Sequence, residues 1–353
     1  TGLHLDLQND LNLHAMSSYA IGVDLGGTNL RIAAVDERGT LLEKTTTGTQ
    51  VARGRDFVIG EMCEAIRATA DKFSSSTLAG IGIGVPGIID MDTGMLRESP
   101  NLPGWHDYPV RDEIERRLGT KVILENDANS AALGEKWLGA ARDYDDMLML
   151  TLGTGVGGGI VLGGRVWHGM RGMAGEPGHI TIEPEGPPCP CGNRGCLEQY
   201  ASATAVVRMA REAIAQGNSP ALARASQEHA EISAKSVYQM AVEGDNGAQQ
   251  IYRRVGWALG IGLADLINLL NLPIYVIGGG AASAWDAFLP ALLEEVRKRS
   301  FVYRATAPES SGPGKKTIIT RALLGGDAGL FGAARLPMLA SEVSTQEGVR
   351  KRA

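Results

Sequence analysis

The first apolar block of the chain, Tyr19 to Val23, is too short for a helix and ends at Asp24-Leu25-Gly26-Gly27-Thr28. A second block, Leu30 to Val35, reaches a turn at Glu37-Arg38-Gly39 and is followed by Leu41 to Thr47. Short β-rich runs joined by glycine turns predict a hairpin. Phe57 to Phe73 carries helical spacing, and Gly80 to Val85 reads as a strand broken at Pro86-Gly87. Val110 to Leu118 is predicted as a helix and Lys121 to Leu124 as a strand. Glu125-Asn126-Asp127 then opens a helix over Ala128 to Leu138. An Asn or Asp at such a junction is a good N-cap, because its side-chain oxygen accepts from the free N–H groups of the first turn.

The plan then starts again. Met147 to Leu152 is predicted as a strand, Gly153-Thr154-Gly155 as a glycine turn, Gly157 to Leu162 as a strand and Gly163-Gly164 as its hairpin turn. Strand, glycine turn, strand and hairpin occurring twice imply two similar α/β lobes, each offering a glycine turn to the cleft between them. Thr204 to Leu270 is mostly helical, Ile274 to Ile277 is a strand meeting Gly278-Gly279-Gly280, and Trp285 to Arg299 is a helix. Ala307 to Lys316 reads as a loop, Thr317 to Thr320 as a strand and Ala328 to Leu336 as a closing helix. Residues 1–18 are read as an extension or tag remnant. Residues 19–133, with the closing helix in 325–340, would form the N-terminal lobe, and 134–324 the C-terminal lobe.

Composition narrows the function. Glycine supplies 47 of 353 residues, against roughly 7% in average proteins, and backbone folded around phosphates needs positions without a Cβ. The net charge of −6 argues against a chain that coats nucleic acid. No run of about 18 apolar residues occurs, and the start lacks the basic and apolar regions of a signal peptide, so a cytoplasmic location is expected.

Three features can carry chemistry. In Asp24-x-Gly26-Gly27-Thr28, backbone N–H groups can converge on phosphate oxygens while Asp24 holds a hydrated Mg²⁺. Alone, this motif is equally a plain hairpin turn. Its repetition at Gly153-Thr154-Gly155 and Gly278-Gly279-Gly280, all at strand ends, favours phosphate binding. No motif ends as a P-loop does, nor opens a first helix as in dinucleotide folds. Cys189, Cys191 and Cys196, with His179 upstream, offer the three thiolates and one imidazole of a closed structural zinc site, whereas Cys63 reads as core. Glu176 and Glu198 flank that metal loop, and Asp127 is placed to accept a proton from a substrate hydroxyl.

Together these motifs resemble the ROK family of sugar kinases (repressors, open reading frames, kinases) from about Tyr19 to Leu336. The most specific match is Glu176-x-Gly178-His179 with Cys189-x-Cys191-Gly192-x-x-Gly195-Cys196-x-Glu198. Asn101-Leu102-Pro103-Gly104-Trp105 and Glu125-Asn126-Asp127 resemble the family's sugar-site motifs. The resemblance implies a two-lobed, actin-like or hexokinase-type ATPase fold of duplicated ribonuclease H-like α/β lobes, with a small zinc-binding insertion over 176–198. It implies Asp127 as catalytic base facing a sugar 6-hydroxyl, and Asn101, Asn126, Glu176, His179 and Glu198 as ligands to the other hydroxyls. Asp24 would hold Mg²⁺, and Gly26, Gly27, Thr28, Gly153, Thr154, Gly155, Gly278 and Gly279 would surround ATP. Pro177 departs from the small aliphatic residue usual there and could tilt Glu176.

The expectation is thus an ATP-dependent glucokinase with structural zinc, acting on glucose, without nucleic-acid or membrane partners, and assembling as a dimer or tetramer. Fructose, mannose and N-acetylmannosamine kinases share these motifs and are the nearest alternatives. A ROK-type repressor would carry a winged helix-turn-helix ahead of the kinase-like part, and residues 1–18 contain no such pair of helices. A nucleic-acid zinc finger is disfavoured by mixed local charge, with Arg194 against Glu183, Glu185 and Glu198.

Overall fold

The structure is a computed structural model and describes residues 18–228, 232–311 and 314–350. The extension assigned to residues 1–18 therefore lies outside the described residues except for Ser18. In chain order the first part comprises β1 (Ser18–Leu25), β2 (Asn29–Asp36), β3 (Leu41–Gly48), α1 (Arg55–Asp71), β4 (Thr77–Val85), β5 (Ile88–Asp90), β6 (Met95–Glu98), α2 (Val110–Leu118), β7 (Ile123–Asn126) and α3 (Asp127–Trp137). There follow β8 (Met147–Leu152), β9 (Val156–Leu162), β10 (Arg165–Val166), α4 (Glu198–Ala201), α5 (Ala203–Ala215), α6 (Pro220–Glu228), α7 (Ala234–Val242) and α8 (Asn246–Leu270). The chain closes with β11 (Ile274–Gly278), α9 (Trp285–Arg299), α10 (Tyr303–Thr306), β12 (Ile318–Arg321) and α11 (Ala328–Arg350).

Two five-stranded sheets have matching orders, β3-β2-β1-β4-β7 and β10-β9-β8-β11-β12. In each, the central strand pairs antiparallel with the next strand in sequence and parallel with a later one, which in turn pairs parallel with the last. The carboxyl ends of β1, β4 and β7 thus lie on one edge of their sheet, and those of β8, β11 and β12 on one edge of theirs. Ligands of open α/β sheets bind at such edges. The repetition expected from the glycine turns is real at the level of topology.

Helix α11 packs on β1, β2 and β4, and α3 packs against α11 as well as β8 and β9, so these two helices join the layers. Glycine makes this close approach possible. A Cβ on Gly82 would lie 1.9 Å from the Ala333 carbonyl oxygen, and one on Gly332 would lie 1.7 Å from that of Ser130. The expected helix Ala328–Leu336 runs on through Pro337. Proline has no N–H to bond the carbonyl four residues back. Here that carbonyl, of Ala333, faces Gly82, and the Pro337 ring packs over Gly80.

Two further differences bear on the site. The strand expected over Lys121–Leu124 lies at Ile123–Asn126, because Val85 pairs with Asn126 and carries the ladder to that residue. Residues 88–98, left unassigned by the pattern, form the β5–β6 hairpin, whose strands are too short to show a period.

Candidate active site

Asp24 is the penultimate residue of β1 and its cross-strand partner is Arg31, so the hairpin register itself brings a guanidinium to the carboxylate at 2.9 Å. Burial pushes the Asp24 carboxyl above its ordinary range and Arg31 opposes this. Arg31 also donates to the Gly326 carbonyl at 2.9 Å, beside the start of α11. The first glycine turn is held by Gly26 N–H to Asn29 O at 2.9 Å and by the Thr49 hydroxyl to Gly26 O at 2.6 Å. A Cβ on Gly27 would lie 2.8 Å from the Asn101 carbonyl, so turn and sugar-motif loop touch. In that loop Leu102 and Trp105 are buried anchors, while Asn101 is left exposed.

The junction of β7 and α3 separates the two candidate caps. Asn126, not Asp127, caps the helix: its Oδ1 accepts from Ala128 N at 2.9 Å and Asn129 N at 3.1 Å. Its Nδ2 donates to Gly87 O at 3.1 Å, leaving one amide proton for a ligand. Asp127 is the first helical residue, accepting Ala128 N–H at 2.9 Å. Burial, then repulsion from Asp24 and Glu176, pushes its carboxyl up to about 6. A carboxylate tuned toward neutrality is suited to proton abstraction.

The second and third glycine turns lie side by side. A Cβ on Gly279, which has φ 86°, would lie 2.4 Å from the Leu152 carbonyl, whereas the Cβ positions of Gly153 and Gly280 face open space. The Ala203 N–H bonds Gly153 O and the Thr204 hydroxyl bonds Thr154 O, both at 2.8 Å, which ties this turn to the N-terminus of α5. The helix dipole there favours an anion. Beside Thr154 opens a cavity of about 640 Å³ lined by Thr204, Arg208, Arg211, Ile232 and Ser233.

The segment 176–198 lies over β9. Pro177 opens a short helical turn, and a Cβ on Gly158 would fall 2.3 Å from its ring, so a glycine makes room for the proline. Burial raises the Glu176 carboxyl, with His179 opposing and Glu198 adding to the shift. Glu198 opens α4 and accepts Val156 N–H at 2.9 Å. Its carboxylate also lies 2.3 Å from where a Gly155 Cβ would be, so it abuts the second glycine turn.

The ligand atoms of His179, Cys189, Cys191 and Cys196 lie within 4.8 Å of one another. Cys191 and Cys196 sulfurs are 3.7 Å apart, as are Cys189 Sγ and His179 Nδ1. A tetrahedral ion with Zn–S near 2.3 Å would space its sulfurs about 3.8 Å apart, so the donor set fits zinc in size and type. Burial drives the Cys196 thiol up to about 12 and raises Cys189, so a bound cation is needed to make them thiolates. With Nδ1 toward the sulfurs, Nε2 of His179 is left for another partner.

Sequence reasoning missed Arg31, Arg208, Arg211 and His168. Arg31 was readable, since it mirrors Asp24 across the turn. The Arg208 and Arg211 wall of the cavity and the contact of His168 Nε2 with Glu125 Oε2 at 2.6 Å join segments distant in sequence, so no local pattern signals them.

A family model described as the ROK family matches residues 20–339. The chain is 43% identical over 276 residues to a glucokinase of Thermotoga maritima, covering 78% of this chain and 86% of that one. It is 40% identical over 321 residues to a glucokinase of Halalkalibacterium halodurans, covering 90% and 94%. A solved ROK family glucokinase from Streptomyces griseus, in complex with glucose and AMPPNP, superposes with a TM-score of 0.72 at 33% identity, over 90% of this chain and 98% of that one. A xylose repressor of Caldicellulosiruptor bescii is 32% identical over 285 residues, covering 80% of this chain and 71% of that one. The architecture is the two-sheet α/β fold of ROK sugar kinases, a hexokinase-type ATPase fold. The chain belongs to the ROK family.

Proposed function

We propose that this protein is a glucokinase that transfers the γ-phosphoryl group of ATP to the 6-hydroxyl of glucose, with Asp127 as the base. Family membership and identity to glucokinases make it an ATP-dependent sugar kinase; the choice of sugar and the residue roles are the proposal. The observation that carries it is Asp127, half-buried at the head of α3, with its carboxyl raised to about 6 by desolvation and by repulsion from Asp24 and Glu176.

The geometry supports the following roles. The 6-hydroxyl would lie against Asp127, with Glu176, Glu198, Asn101, the free Nδ2 proton of Asn126 and Nε2 of His179 around the remaining hydroxyls. The phosphates would rest on the turns at Gly26 to Thr28, Gly153 to Gly155 and Gly278-Gly279, and the base and ribose in the cavity beside Thr154. Asp24 keeps one carboxylate oxygen outside the Arg31 contact, and Mg²⁺ held there would neutralise developing phosphate charge. Phosphoryl transfer depends on in-line positioning and charge neutralisation, so these side chains chiefly orient the reactants and exclude water. Asp127 takes the hydroxyl proton as the new O–P bond forms.

Zinc in the Cys189, Cys191, Cys196 and His179 cluster would be structural, since four protein ligands leave no open position. Assembly as a dimer or tetramer and a cytoplasmic location belong to the same proposal. Among the described residues no helix is long and apolar enough to cross a membrane.

The test is an ATP-coupled assay over glucose, mannose, fructose and N-acetylmannosamine, run on the native protein and on Glu198→Gln, beside a DNA gel shift. Glucose is expected to give the highest kcat/KM. Glu198→Gln keeps shape but removes a charge-assisted hydrogen bond worth about 1.5–3 kcal/mol, so KM for glucose should rise by about ten-fold or more. Preference for another hexose would reassign the sugar, and an unchanged KM would take Glu198 out of the sugar site. Sequence-specific DNA retention without turnover would favour a regulator.

A further inference from the structure

We propose that Glu125 and His168 form a positioning pair that aims Asp127 and couples it to the loop bearing Glu176. The inference rests on the kinase reading above and deepens it.

The Glu125 side chain is 2% exposed, and both of its oxygens are used. Oε1 accepts from the Asn126 backbone N–H at 2.9 Å and from Asn129 Nδ2 at 3.0 Å. These donors lie on either side of Asp127, so one carboxylate staples the strand-to-helix junction on which the base is mounted. Oε2 meets His168 Nε2 at 2.6 Å, and that contact raises the His168 ring above its ordinary range. A buried carboxylate needs such a partner, because removing one member of a buried pair leaves an uncompensated charge.

His168 belongs to a different part of the fold, the loop leading from β10 to Glu176. This loop is closed on itself by Ala174 N–H to His168 O at 3.1 Å and Met173 N–H to Met170 O at 3.3 Å. Its second anchor is Arg171, which bonds the fully buried Asp90, while Met91 N–H donates to Arg171 O at 3.1 Å. Gly172 sits where a Cβ would lie 2.2 Å from Met91 Cγ, so the loop is seated directly on β5 and the turn after it. Glu176 follows at once, after Gly175 with φ 88°. A sugar held by Glu176 therefore pulls on a strap whose other end is bonded, through His168 and Glu125, to the residues flanking Asp127. In this proposal Glu125 and His168 act through Asp127 and not on the sugar or the phosphates.

The experiment is steady-state kinetics with ATP and glucose, with calorimetric titration of glucose, on wild type, His168→Ala and His168→Gln. The His168 side chain is 37% exposed, so neither change opens a sealed core. A base displaced by about 1 Å loses on the order of 10²-fold in rate. His168→Ala is thus expected to lower kcat by about 10- to 100-fold while the Kd for glucose stays within about three-fold. His168→Gln, which keeps a donor toward Oε2, is expected to recover most of kcat. Unchanged kcat in His168→Ala, loss of glucose affinity in parallel with kcat, or no recovery in His168→Gln would each overturn the pair. A wild-type protein that turns over no hexose would overturn the kinase reading beneath it and this inference with it.

Discussion

Asp127→Ala is expected to lower kcat by about 10²- to 10⁴-fold, the usual worth of a positioned general base, with little change in glucose affinity. The same assignment fixes a pH dependence. Asp127 works only when ionised, and its carboxyl sits at about 6. Wild-type kcat/KM should therefore fall as pH drops through about 6, and the residual activity of Asp127→Ala should lack that limb. Folding should respond in the opposite sense. A carboxyl whose folded value is raised from 3.8 to about 6 holds its proton more tightly when folded, so ionising it costs stability as pH rises through that window. Asp127→Asn, which carries no charge to bury, is expected to melt no lower than wild type at pH 7. A lower Tm would mean that lost activity reflects lost folding.

The site and the fold were not equally legible. The glycine turns, the β1–β2 hairpin and the repeated sheet plan could be read because short apolar blocks ending on glycine mark strand ends directly. Asn126 was placed among the sugar ligands, and its role as cap depends on the strand running to residue 126, which only the pairing with Val85 decides. The Glu125–His168 contact spans 43 positions and crosses from one sheet's edge to a loop of the other, beyond any periodicity. The passage of α11 through Pro337 required knowing that Gly80 and Gly82 lie under it.

Removal of zinc, by chelation or by Cys191→Ser, is the second large effect expected. His179 Nδ1 faces the sulfurs, and Glu176 and Glu198 bracket the cluster, so the ion would fix the aim of three side chains toward the sugar without entering the reaction. Glucose affinity should fall sharply. Binding of an ATP analogue should survive, because Gly26 to Thr28 and Gly278-Gly279 lie on other segments. Tm should drop as well, since structural zinc contributes folding free energy. Elemental analysis is expected to find one zinc per chain. Absence of zinc from carefully purified protein, or undisturbed glucose binding after its removal, would contradict this assignment.

The central claim is transfer of phosphate from ATP to one oxygen of glucose. It is tested most directly by incubating the protein with Mg²⁺, ATP and glucose and locating the phosphorus in the product by phosphorus–proton NMR correlation. The account predicts glucose-dependent release of ADP and phosphorus coupled to the C6 protons alone. Phosphorus on any other carbon, or ADP release that does not depend on sugar, would contradict it.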